Sequence, residues 1–216
     1  MKIQSVTLPS TNIDAQERLF ANTLGFPCSR PSVSALVVHV GASKLIFERS
    51  DKQFYFHYCF LIATGDLESA IALLDQSKVD PLLYQGQRIV QFDNGRSVYF
   101  HDGDGNLAEF IERPSLGIVS TKTFQADAVI CINEMGLPAL APKEYGRQLK
   151  DAFAIQCAEE APWRDDFVWC GDFEGAFVIP VIGRNWIPLN KPAEHNEVKV
   201  EFETVSGIHQ FAVGPE

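Results

Sequence analysis

Along this chain the apolar positions change period at regular intervals, from two to about 3.6 and back again. Ser5-Val6-Thr7-Leu8-Pro9, His57-Tyr58-Cys59-Phe60-Leu61-Ile62 and Glu134-Met135-Gly136-Leu137-Pro138 each read as a short, mostly apolar strand leading into a helical pattern. Thr11 and Asn12 follow the first as cap residues, then Leu19, Phe20 and Leu24 at helical spacing, with Gly25 as the stop. In the second, Asp66 precedes Leu67, Ala70, Ile71 and Leu74. In the third, Pro142 stands at a first helical position, and Tyr145, Leu149 and Phe153 follow along one face.

Strand patterns return after each helix. Residues 35–40 and 44–49 flank the Gly41-Ala42 turn, and 88–92 precedes Asn94-Gly95, a dipeptide suited to a tight hairpin. Tyr99-Phe100-His101, the turn Asp102-Gly103-Asp104-Gly105-Asn106 and Leu107–Glu112 form strand, turn and returning strand, with a carboxylate planted mid-strand at Glu109. Residues 167–170 and 176–179 repeat the pattern, and 198–202 adds one strand more. The closing strand Lys44-Leu45-Ile46-Phe47-Glu48-Arg49 aligns without gaps to Ala108-Glu109-Phe110-Ile111-Glu112-Arg113. The class is therefore α+β, a βαβββ module written about three times. Its expected divisions are residues 1–50, residues 51–113, a linker at 114–127, and a third, βαβββ-like module at 128–216 that carries the extra C-terminal strand.

His57-Tyr58-Cys59-Phe60 and Asp104-Gly105-Asn106-Leu107-Ala108-Glu109 resemble one module of the vicinal-oxygen-chelate superfamily. That superfamily includes glyoxalases, extradiol dioxygenases and bleomycin- and fosfomycin-resistance proteins. The likeness runs along nearly the whole chain and is greatest to three-unit bacterial glyoxalase-like members. It implies mixed sheets that join into an open cup, with the third module partial. It also implies a divalent metal held by the opening and closing strands, where alternation lets one position per strand face inward. His57 and Glu109 stand at the ligand positions of the second module, and Ser5 and Leu45 at those of the first. A third ligand would come from Glu134, if the second and third modules share a cup, or from His101. Either set suits Fe, Mn, Zn or Ni. In the absence of a metal, Glu109 would act as a catalytic base.

Each of these residues also has an ordinary structural reading. His57 would be a core imidazole donating to a backbone carbonyl, and Glu109 a salt-bridged margin residue. Glu134 would face solvent, and His101 would sit exposed beside a turn. Two functions follow. One is a glyoxalase- or dioxygenase-like enzyme, a metal-dependent lyase, isomerase or dioxygenase acting on a small oxygenated metabolite. The other is a metal-free, bleomycin-resistance-like binding protein. The missing ligand chemistry at Ser5 and Leu45, together with the many aromatics, speaks for the second, but the reading as a whole leans to the first, with the binding protein as the alternative.

Composition narrows the partners. With 216 residues, 46% of them hydrophobic, the chain can bury a sizeable core. A net charge of −10 with scattered Lys and Arg would repel a polyanion, so nucleic acid is not expected. No apolar run approaches a membrane span, and the start lacks a basic region followed by an apolar one, so a cytoplasmic protein is expected. Five cysteines without close pairs fit reduced thiols there. Asp102, Asp104 and Asn106 have the opening spacing of a calcium loop. Leu107 and Arg113, however, replace the glycine and glutamate such a loop needs, and a hairpin turn accounts better for the acids. The third module, if unpaired, would expose an apolar sheet face to the second module or to a second copy of the chain, giving a homodimer. Gly183-Arg184-Asn185-Trp186-Ile187-Pro188 would line that contact, or form a loop anchored by a buried tryptophan.

Overall fold

Each helix is followed by a hairpin whose last strand returns parallel to the strand that preceded the helix. The computed structural model describes residues 1–121, 123–159 and 161–214; Lys122 of the expected linker and Glu160, Pro215 and Glu216 of the expected third module lie outside the described residues. The first unit comprises β1 (Lys2–Ser10), α1 (Ile13–Glu17, continuing as a wider helical turn to Thr23), β2 (Cys28–Ser32), β3 (Ala35–Val40) and β4 (Ser43–Arg49). These strands lie in the order β1-β4-β3-β2. The second comprises β5 (His57–Ile62), α2 (Leu67–Gln76), β6 (Val90–Phe92), β7 (Gly95–His101) and β8 (Leu107–Glu112), ordered β5-β8-β7-β6. The third has β9 (Cys131–Gly136), α3 (Pro142–Phe153), β10 (Phe167–Asp172) and β11 (Gly175–Pro180), ordered β9-β11-β10. In the place of β2 and β6 the third unit has, among the described residues, only the isolated bridge between Trp163 and Val168. A small hairpin of β12 (Asn185–Trp186) and β13 (Lys191–Pro192) follows, then β14 (Val198–Thr204) and β15 (Gly207–Val213).

The units join through their opening strands. β5 runs antiparallel to β9, fusing the second and third units into one seven-stranded sheet. β14 runs antiparallel to β1 and makes the first unit part of a six-stranded sheet. Beside β1, β14 therefore takes the place that β9 has beside β5. The strand expected at 198–202 as an appendage of the third unit instead completes the first. The reason is alternation: Val200 pairs with Val6 and Phe202 with Ile3, so its apolar side drops onto the core that β1 already faces.

Register also corrects one ligand position. β1 and β4 pair Ser5 with Lys44 and Val6 with Leu45. Val6 and Leu45 are fully buried, so Leu45 points into the core, away from the face that carries Ser5. The second unit pairs His57 with Leu107 and Cys59 with Glu109, which makes Ile46 the first unit's counterpart of Glu109. The ungapped alignment is one residue out, and in a strand one residue reverses the face.

Between the sheets lies a single core. Phe20, just past α1, stacks on Phe47 of β4 at 5.8 Å and meets Phe60 of β5 edge-on at 6.3 Å. Ser43 Oγ donates to Ile3 O at 2.6 Å and accepts from Ile132 N at 3.0 Å, tying both sheets to one side chain. The 102–106 turn is a structural knot. The Asp102 carboxylate accepts from Tyr58 Oη at 2.8 Å, Gln16 Nε2 at 2.9 Å and the backbone amides of Asp104 and Asn106. A Cβ at Gly103 would lie 2.5 Å from the backbone of Ala15, so only glycine lets the turn approach α1 this closely. No helix among the described residues is long and apolar enough to cross a membrane.

Candidate functional site

In β5, Tyr58, Phe60 and Ile62 face the core, and alternation turns His57, Cys59 and Leu61 to the other side of the sheet. In β8, Ala108 and Phe110 go inward, while Leu107, Glu109 and Ile111 share the face of His57. Glu134 of β9 pairs with Cys59 and presents its carboxylate on the same face. The three side chains meet: one ligand-capable atom from each of His57, Glu109 and Glu134 lies within 4.8 Å of the others, and all three residues are buried. The second and third units thus form the cup that holds them.

Within this group, His57 Nε2 and Glu109 Oε2 are 2.9 Å apart. Tyr99, directly across from Glu109 on β7, is held well above the usual phenol range by burial and by the nearby Glu109 charge. Glu134 is fixed by one oxygen only. Arg113 donates to Oε1 at 2.5 Å and Trp169 Nε1 donates to the same atom at 2.8 Å, while Oε2 has no hydrogen bond among the described residues. Burial raises the Glu134 carboxyl above its ordinary range, and the Arg113 guanidinium pulls it partly back. The expectation of a solvent-facing Glu134 is therefore replaced, because Arg113 supplies the counter-charge that makes a buried carboxylate tenable.

Arg113 is itself held from several sides, donating also to Asn133 Oδ1 at 2.8 Å and to Asn94 O and Oδ1 at 3.2 Å. His57 stacks on Trp186 at 4.9 Å, and its Nδ1 has no partner among the described residues. The ring is oriented by this stacking together with the Nε2 contact to Glu109. Trp186 belongs to the 183–188 stretch, which folds over its own cup with the indole buried.

His101 shares the face of Glu109 but lies beyond it at the turn, exposed, with Nδ1 3.4 Å from Asn106 O. It is outside the cluster. The first unit's corresponding face carries Ser5, Lys44 and Ile46, none of them a metal-ligand pair. In the third unit, register places Val178 where the second has Glu109, so three of the four cup positions bear ligand-capable groups.

Around these residues is a cavity of about 270 Å³ whose walls include Tyr99, Phe167, Trp169 and Trp186. A larger depression of about 380 Å³ lies beside α3, but its imidazole, His195, already bonds Gly214 O at 2.7 Å. Sequence patterning singled out Trp186's stretch without its role. It missed Arg113, Trp169 and Tyr99, although the repeated Glu-Arg pair ending β4 and β8 marked Arg113's position.

No family model matches the sequence, and no curated protein matches it. Among solved structures, a Bacillus subtilis protein described as a "putative dioxygenase" superposes over 100% of this chain and 86% of its own, with a TM-score of 0.63 at 12% identity. This is the vicinal-oxygen-chelate fold. Repeated βαβββ units and a mixed, curled sheet forming an open cup are its features here. Shorter proteins align over about half the chain. A lactoylglutathione lyase from Agrobacterium tumefaciens has 17% identity over 51% of this chain and 92% of its own, and the oxidase ChaP-H1 26% over 53% and 98%. Both score 0.44, too loose a likeness to bear on function.

Proposed function

We propose that the protein is a glyoxalase- or dioxygenase-like enzyme that uses His57, Glu109 and Glu134 to hold a divalent metal and acts on a small oxygenated molecule. The observation that carries this reading is the convergence of three buried ligand-capable side chains within 4.8 Å. The donor set fits an ion. Two buried carboxylates share the site with one permanent cation, Arg113, and Glu134 is anchored through Oε1 with no hydrogen bond to Oε2 among the described residues. One nitrogen and two carboxylate oxygens suit Fe(II), Mn(II), Zn(II) or Ni(II). When bound, such an ion would supply Lewis-acid polarisation of substrate oxygens at these three residues.

The chain's own residues do the rest. Arg113 and Trp169 hold Glu134 in place, and outer contacts of this kind set a ligand's direction. Trp186 covers His57 and keeps water from that side of the ring. In the metal-free form, Glu109 Oε2 beside His57 Nε2 is the position that takes a proton.

A second reading is a metal-free binding cup. Val178 at the fourth position and the ion pair Arg113–Glu134, which neutralises one of the two carboxylates without a metal, favour it. Metal analysis of protein purified without chelators separates the two, alongside thermal melts with added Mn, Zn, Ni or Fe. Bound metal lost in His57→Ala supports the enzyme. No metal and no thermal gain leaves the binding protein.

A further inference from the structure

We propose that the cup selects a small planar acid, with its ring between aromatic walls and its carboxylate at Arg164 and Arg184. The proposal deepens the reading of this cup as the ligand site and adds the substrate class. Arg164 and Arg184 both line the cavity, in a chain whose net charge is −10. They lie outward of the buried acids: their side chains are 58% and 27% exposed, whereas Glu109 and Glu134 are 2% and 7% exposed. The cavity is therefore acidic at depth and basic at its mouth.

Both arginines are held with their donors to spare. Their Cζ atoms lie 5.6 and 4.7 Å from the centroid of the Phe167 ring. Each turns its Nε to one oxygen of Asp166, at 3.3 Å. The terminal nitrogens of both guanidiniums make no hydrogen bond among the described residues, unlike those of Arg113. A planar fork stacked on a ring and fixed through Nε is prearranged to receive a carboxylate. Walls formed by Trp169, Trp186 and Phe167 suit a flat, conjugated body. A volume of about 270 Å³ sits just below the range of roughly 300–1,000 Å³ common for ligand cavities, which limits that body to one substituted ring.

The probes are 3,4-dihydroxybenzoate, its neutral amide and catechol, titrated by quenching of Trp169 and Trp186 fluorescence at low ionic strength. The expected result is tenfold or greater preference for the acid over the amide. In the Arg164→Gln/Arg184→Gln double variant the preference should fall below threefold while amide binding stays unchanged. Equal binding of acid and amide, a preference that survives in the double variant, or no binding of any probe overturns the proposal. Metal titration of the same samples is scored separately. Metal binding without acid preference leaves the metal reading standing, and acid preference without metal binding leaves only this one.

Discussion

His57 on the second unit's opening strand and Glu109 on its closing strand meet at 2.9 Å, although 52 residues separate them. The parallel register of β5 and β8 makes this contact, bringing two positions to one point on one face. Removing the imidazole leaves a buried carboxylate short of a partner. His57→Ala is expected to lower stability by about 1–3 kcal/mol in urea unfolding, and to abolish any metal-induced rise in melting temperature.

Arg113 and Glu134 form a pair in which both members are buried. Arg113→Met strands the Glu134 charge and should cost about 3–5 kcal/mol. The double variant Arg113→Met/Glu134→Leu removes both charges and should recover most of that loss. A double variant no more stable than the single would show that the pair is not the cause.

Trp186 lies against Gly136, where an added Cβ would stand 2.9 Å from the indole. Gly136→Ala therefore displaces the ring that covers His57. We expect a loss of about 1–3 kcal/mol, typical of overpacking, together with a red-shifted tryptophan emission. An unshifted spectrum would place the indole elsewhere.

The slipped alignment in the first unit gives a paired test. Leu45→Glu buries a charge in the core and should prevent cooperative folding, whereas Ile46→Glu, on the opposite and more open face, should change stability by about 0.5 kcal/mol or less. Circular-dichroism melts of the two variants decide it.

Cys157 and Cys170 have sulfurs 3.8 Å apart. The Cys170 thiol donating to it lowers Cys157 to about 7, with Lys150 adding a smaller pull and Asp172 a push. Cys170 is raised in turn. The reactive thiolate of Cys157 forms as pH rises, so iodoacetamide labelling should accelerate with a midpoint near 7. In Cys170→Ala the midpoint should climb toward the ordinary thiol value.

Much of this architecture was legible in the sequence because it is local. Asn12 marks a helix start with its own side chain, Gly25 and Pro142 mark helix ends through their own backbones, and Asn94-Gly95 specifies its own turn. His57 and Glu109 stand out as polar residues in apolar strands. What depends on partners far along the chain was not legible. Nothing near Glu134 reveals Arg113 or Trp169, which hold it from just past β8 and from β10. The choice of which units share a cup is made by the pairing of β5 with β9, and strand edges carry no address in their residues. Leu45 shows the finest limit: similarity of residue types found the right strand and the wrong face.

The pairing of Lys2 with Glu203 has a consequence for biosynthesis. The edge of β1 opposite β4 stays vacant on the nascent polypeptide until residues 198–204 leave the ribosome, whereas the residues lining the cup lie between 57 and 187. The half of the molecule made first must wait for a strand made late. An exposed apolar edge persists meanwhile, and that interval is when a chaperone would be engaged.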